Sequence, residues 1–135
     1  MTSDRLARAY LEKATVRIKA LKFLHQEGGY SDVVREAQEC VEILLKAVLR
    51  CLGIEVPRIH DVSRLLKQRI DLLPKPLSEN LDEVSRISRE LRKDRELAFY
   101  GADDWIPTEE YSNQDSLEAI RKAERILEIV SPIIR

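Results

Sequence analysis

Between Ser31 and Gly53 the apolar residues fall at Val34, Ala37, Val41, Leu44, Leu45, Val48 and Leu52. Steps of three and four keep those side chains on one stripe of an α-helix, whereas a strand would send them alternately to opposite faces. A stripe held for roughly six turns has to be covered by other elements, so the chain needs partners for it. Ser31 is the expected cap at its start, and Gly53 the expected stop. The rest of the chain supplies matching segments. From Asp4 to His25, Ala7, Leu11, Ala14, Ile18 and Leu21 share a side, and Gly28 and Gly29 end the run. "RIHDVSRLLKQRI" predicts a short helix capped by Asp61, with Val62, Leu65 and Leu66 inward, finished by Pro74. A long helix is expected from Ser78 to Tyr100 with Gly101 as its stop, then "ADDWIPTEEYSN" as a loop. A last helix, from Asn113 to Val130, should bury Leu117, Ile120, Ala123, Leu127 and Val130. Short connections between such helices imply an all-α, antiparallel up-and-down bundle of four main helices plus one short helix.

A length of 135 residues suits one core, so residues 1–135 are expected to form a single domain. Hydrophobic residues at 44% and charged residues at 35%, with four glycines and two phenylalanines, favour amphipathic helices over strands or disorder. The 23 Lys and Arg balance 24 Asp and Glu, which leaves no overall field to draw the chain onto nucleic acid or anionic lipid. Any nucleic-acid contact has to be local. The start, "MTSDRLARAYLEKATVR", lacks the apolar centre of a signal peptide, and no apolar run approaches bilayer length; a cytoplasmic protein without a membrane segment is expected. Cys40 and Cys51 lie on one expected helix roughly 16 Å apart, too far to pair with each other, and read as buried reduced thiols. Plentiful Arg, Glu and Ile beside few Asn and Gln point to a heat-adapted source. With only His25 and His60 there is no His-Glu-x-x-His, Cys/His cluster or carboxylate cage, so neither metal nor cofactor is expected. A glycine-rich phosphate loop and a nucleophile elbow are missing too.

The informative departure from plain packing is Arg95. Leu81, Val84, Ser88, Leu91, Arg95 and Ala98 alternate spacings of three and four, which sets a guanidinium in an apolar seam. It cannot shed its charge, so it needs a carboxylate, a phosphate or several carbonyls. On the preceding long helix Gln38, Glu42 and Lys46 form a polar row. Glu42 is the expected acceptor for Arg95, and Lys46 pairs with Glu42 or reaches an anion. Arg86, Arg89, Arg92 and Lys93 interleave with Glu83, Glu90, Asp94 and Glu96, which favours a solvated, salt-bridged face over an RNA track. His25 reads as a packed, satisfied side chain, and His60 as a cap or loop-closing residue. Trp105, with Tyr111, covers a core edge more readily than it stacks on a base.

Taken in order, "GGYSDVVREAQECVEILLKAVLRCLGIEVPRIHDVSRLL", "RELAFYG" and "EEYSNQDSLEAIRKAERIL" resemble the HEPN domain, the higher-eukaryote and prokaryote nucleotide-binding module. Glu42 and Lys46, His-Asp after the loop, and Arg95 followed by Tyr-Gly carry the likeness, which runs from about Arg8 to Val130. It implies a bundle of four main helices plus a short one, a homodimer with the fourth helices near its groove, and a minimal nucleotidyltransferase as partner in toxin-antitoxin pairs or nucleotide-binding complexes. Many members are metal-independent ribonucleases that use an Arg, four to six intervening residues and a His, the histidine as acid-base and the arginine on the scissile phosphate. Arg95 matches that arginine, but after four spacers stands Tyr100, and no histidine follows. A tyrosine, with an ordinary pKa near 10, is a poor base at neutral pH. The position two beyond it, where a modifiable tyrosine would be sought, is Ala102. The expectation is therefore a noncatalytic nucleotide- or phosphate-binding module whose ligand set is Arg95, Arg92, Lys46, Glu42 and His60. The alternatives are a divergent ribonuclease using Arg95, Tyr100 and His60, and a purely structural helical assembly protein.

Overall fold

Gly28, at φ +80°, turns the chain out of α1 (Thr2–Gln26) and into α2 (Tyr30–Cys51) within three residues. So short a turn lays the two helices antiparallel. The computed structural model describes residues 2–56, 58 and 62–134. The expected capping residue of α2 is corrected: Gly29 occupies the cap, its carbonyl accepting from the Val33 N–H at 3.0 Å, and Ser31 lies buried inside the first turn. Beyond Cys51 the chain leaves the helix at Gly53, φ +73°, with the Ile54 N–H closing back on the Leu49 carbonyl at 2.8 Å.

The second half is more segmented than its periodicity suggests. α3 (Val62–Gln68), a 3₁₀ turn (Ile70–Leu72) and one-turn α4 (Lys75–Ser78) lead into α5 (Leu81–Lys93). The short α6 (Arg95–Phe99) and α7 (Pro107–Glu110) precede α8 (Asn113–Ile134). The helix expected over Ser78–Tyr100 is thus corrected: Ser78 ends α4, the run begins at Leu81, and it is broken at Asp94 into α5 and α6. There the backbone tightens: the Asp94 N–H bonds the Leu91 carbonyl, three residues back, at 3.3 Å, and the Asp94 carbonyl then receives the Ala98 N–H at 2.8 Å. Asp94's carboxylate also accepts from the Tyr111 hydroxyl at 3.4 Å, so a side chain that favours local bonds over helix interiors is held from the next loop. Expected cap Asp61 lies outside the described residues.

The bundle is all-α: α1, α2, the α5–α6 pair and α8 are its four main rods, with α3 as the short helix. α2 is central, packing against both α1 and α8, and contributes Val41, Leu44, Leu45, Val48 and Leu49 to the core. α8 overruns its expected end at Val130 and continues through Pro132 to Ile134. Its buried stripe is rotated as well: Ser116, Ala119, Ile120, Ala123, Ile126, Ile129 and Val130 face the core, while Leu117 and Leu127 are half-buried flanks. Arg125 fastens α8 to α5, its Nε lying 3.0 Å from Glu83 Oε2, while its Nη1 meets Glu128 Oε1 of α8 itself at 2.9 Å. That bond to Arg125 holds the Glu83 carboxyl below its ordinary range.

Among the described residues no helix is long and apolar enough to cross a membrane. Both cysteines are free thiols. Cys40 is fully buried, and burial pushes its pKa up to about 12. Iodoacetamide at mildly alkaline pH should therefore leave Cys40 unlabelled in the native protein while Cys51, half-buried, reacts; urea should expose both, as peptide mass spectrometry would register.

Candidate functional site

Breaking the helix at Asp94 changes where Arg95 points. Its Nη2 donates to Glu39 Oε1 at 2.9 Å and its Nε to the same oxygen at 3.2 Å. Arg35, one turn before Glu39 on α2, brings its Nη2 to 3.5 Å from that oxygen. The Arg35 guanidinium lies over the Phe99 ring, 4.3 Å from its centroid, and Phe99 meets Tyr100 edge-on at 4.6 Å. Arg95, Glu39, Arg35 and Phe99 thereby close a circuit between α2 and α6 in which one carboxylate serves two guanidiniums and an aromatic face covers one of them. The hydrogen bond to Glu39 raises the Arg95 pKa above its already high ordinary value, with Glu39, Glu42 and Glu96 adding negative field.

Glu39 was not among the expected residues. The acceptor expected for Arg95 was Glu42, one turn further along α2; Glu42 contributes to the field at Arg95 and holds Lys46 Nζ at 3.8 Å. The signal for Glu39 was present as the Arg35–Glu39 spacing of four, which puts both on one flank of α2. Arg92 faces elsewhere, into a depression between α3 and α5. Tyr100 is 76% exposed beside the circuit. His60 lies outside the described residues. The structure thus joins Arg95 to α2, keeps Lys46 with Glu42, and gives Arg92 a separate neighbourhood.

The aromatic loop after Gly101 sits among negative charges. Trp105 and Ala102 exchange backbone hydrogen bonds at 3.0 Å, and Trp105 packs edge-on against Tyr111 at 6.2 Å. Tyr111 is buried, and burial with nearby Asp94 pushes its hydroxyl up to about 12. The open cleft beside them, about 390 Å³, has Glu90, Asp94, Glu110, Asp115 and Glu118 in its walls against Lys93 and Lys122. Five carboxylates to two ammonium groups disfavour a phosphate there, which argues against base stacking on Trp105.

His25, at the end of α1, is satisfied as its position suggests. Its Nδ1 and the Ser116 hydroxyl are 2.8 Å apart, Tyr30 lies 5.4 Å from its ring, and the Asn113 amide donates to the Tyr30 hydroxyl at 3.2 Å. Ser116 is fully buried, so this pair joins helix ends and offers no accessible nucleophile.

Sharing one carboxylate between two cations makes the circuit asymmetric. Glu39→Ala leaves two guanidiniums facing each other and should cost about 1–3 kcal/mol. Arg95→Met leaves Glu39 with Arg35 and should cost under about 1 kcal/mol. Urea denaturation of the two variants measures the difference.

Comparison with known proteins agrees with this architecture. The HEPN domain model matches residues 7–133. MJ1304 of Methanocaldococcus jannaschii, named as a candidate toxin, is 27% identical over 135 residues, covering 96% of this chain and 88% of that protein. No solved structure matches.

Proposed function

The chain belongs to the HEPN domain family, and on that premise we propose that it is a toxin-type HEPN module that holds a nucleotide or RNA phosphate beside Arg95 and docks a minimal nucleotidyltransferase. The observation that carries this reading is the Arg95–Glu39 pair at 2.9 Å, which pre-orients a permanently charged guanidinium at the α2–α6 seam. Lys46 and Glu42, on the same helix as Glu39, extend the polar surface, and His60 completes the proposed ligand set. The name of the Methanocaldococcus relative supports the toxin assignment. A homodimer is part of the reading, supported by Phe99 and Tyr100 on and just after α6 and by Val16 and Phe23 on α1, all large apolar side chains left exposed.

The competing ribonuclease reading assigns acid-base work to Tyr100 and His60 around the same arginine; the exposure of Tyr100 favours it to the extent that the hydroxyl can be reached. Titration with ATP and short single-stranded RNA, with RNA integrity followed in parallel, separates the possibilities. The expected result is saturable binding, about tenfold or more weaker in Arg95→Ala, with RNA left intact. Cleavage lost in Tyr100→Phe would establish the ribonuclease instead. Absence of binding by the unsubstituted protein would leave a structural role. Co-purification with a nucleotidyltransferase from the neighbouring reading frame tests the partner.

A further inference from the structure

Between α3 and α5 the chain builds a second cationic feature. Ser85, Arg89 and Arg92 recur at steps of four and three on α5, so they share one face of that helix. Ser63, Arg64 and Lys67 of α3 meet that face, and the six side chains enclose a depression of about 140 Å³. Four of the six are cationic, and no carboxylate among the described residues lines it. In a chain whose charge sums to −1, such segregation is local. The mixed charges of α5 are sorted by its turn: Glu90 faces the acidic cleft at Trp105 and Glu83 is engaged by Arg125, which leaves this face to the arginines.

A second observation points to a ligand. Ser85 is only 3% exposed, it lines the depression, and its hydroxyl has no hydrogen-bond partner among the described residues. A hydroxyl in mid-helix ordinarily donates to the carbonyl four residues back or to solvent, and leaving it unsatisfied under four cations costs stability. At the rim, Lys67 and Arg89 are exposed and form no ion pair among the described residues. An oxyanion seated here would accept from the hydroxyl and from the flanking guanidinium and ammonium groups together. The space suits one tetrahedral anion and is too small for a base with its sugar.

We propose that the α3–α5 cleft binds one phosphate group, free or carried by a nucleotide or RNA strand, through Ser85, Arg89, Arg92, Arg64 and Lys67. This site is separate from the Arg95 pair and does not depend on it. Calorimetric titration of the full chain with inorganic phosphate, with ATP and with a short single-stranded RNA tests it, using Lys67→Ala/Arg89→Ala, Ser85→Ala, and Lys13→Ala/Lys19→Ala on exposed positions of α1 as control. The expected result is saturable binding of at least one probe, about tenfold or more weaker in Lys67→Ala/Arg89→Ala, a few-fold weaker in Ser85→Ala, and unchanged in the control. Circular dichroism and the melting temperature should stay as they are; if the double variant is destabilised, Arg89→Gln carries the test, with Arg89→Lys expected to bind nearly as the parent. Where RNA binds, losing two cations should flatten the dependence of log K on log salt by about 1.4. Binding of phosphate and ATP marks a single-anion site, binding of RNA alone a backbone site, and either supports the proposal. It is overturned if none of the probes binds, or if Lys67→Ala/Arg89→Ala binds as tightly as the parent. Arg95→Ala in the same titrations keeps the two readings apart: loss there with retention in Lys67→Ala/Arg89→Ala removes this site and leaves the Arg95 reading standing, and the reverse pattern does the opposite.

Discussion

Gly101→Ala unfolds at a lower urea concentration than the parent, by on the order of 3 kcal/mol. Gly101 has φ +69°, a region where an L side chain is strained. A Cβ at that position would stand 2.5 Å from the Trp105 carbonyl oxygen and 2.6 Å from Pro107 Cδ. The first obstacle is backbone and the second a fixed ring, so neither can rotate aside. The damage should reach function, because the turn begins one residue after Tyr100 and two after Phe99, which roofs Arg35. Urea melts give the stability loss, and ATP or RNA titration of the still-folded fraction gives the effect on the Arg95 circuit. Gly28, by contrast, has open space where a Cβ would go, so Gly28→Ala pays only for its φ, about 1–2 kcal/mol.

The other large effect concerns the register of α8. Ile126→Ala should cost about 3–4 kcal/mol, because Ile126 is fully buried and its loss opens a cavity against a core that relaxes only in part. Leu127→Ala, one residue on, should cost under about 2 kcal/mol, since that side chain is half-buried and already partly hydrated. The ratio of the two, read from parallel urea melts, tests the rotation of the stripe. Equal costs would place the helix in the phase its leucines suggest.

That rotation marks the limit of what periodicity reveals. On α2 the stripe is wide and nearly all aliphatic, so Val34, Ala37, Val41, Leu44, Leu45 and Val48 could be placed from spacing alone. On α8 two leucines pulled the expected face toward themselves, while the true face includes Ser116, a polar residue made acceptable by His25 from 91 positions away. Distant satisfaction of that kind leaves no mark in local spacing. The break at Asp94 was hidden similarly: its apolar neighbours keep helical phase, and the tie that holds it open comes from Tyr111. Arg95 stood out because a permanent cation in an apolar seam demands a partner. Which partner depends on the phase after the break: Glu39 takes the hydrogen bonds described, and Glu42, the expected acceptor, adds to the negative field at Arg95. The α3–α5 cleft was out of reach for a different reason. Arg89 and Arg92 interleave with acids along α5, and only the helical turn and the docking of α3 set them beside Arg64 and Lys67.

The break at Asp94 has a thermodynamic consequence for the two arginines that flank it. In a continuous helix Arg92 and Arg95, three residues apart, would be surface neighbours, each raising the cost of the other's charge. As folded, one answers to α3 and the other to α2. Substitutions at the two positions should therefore act additively in a double-mutant cycle, with a coupling energy near zero. A chain so arranged can lose or retune one cationic site without disturbing the other.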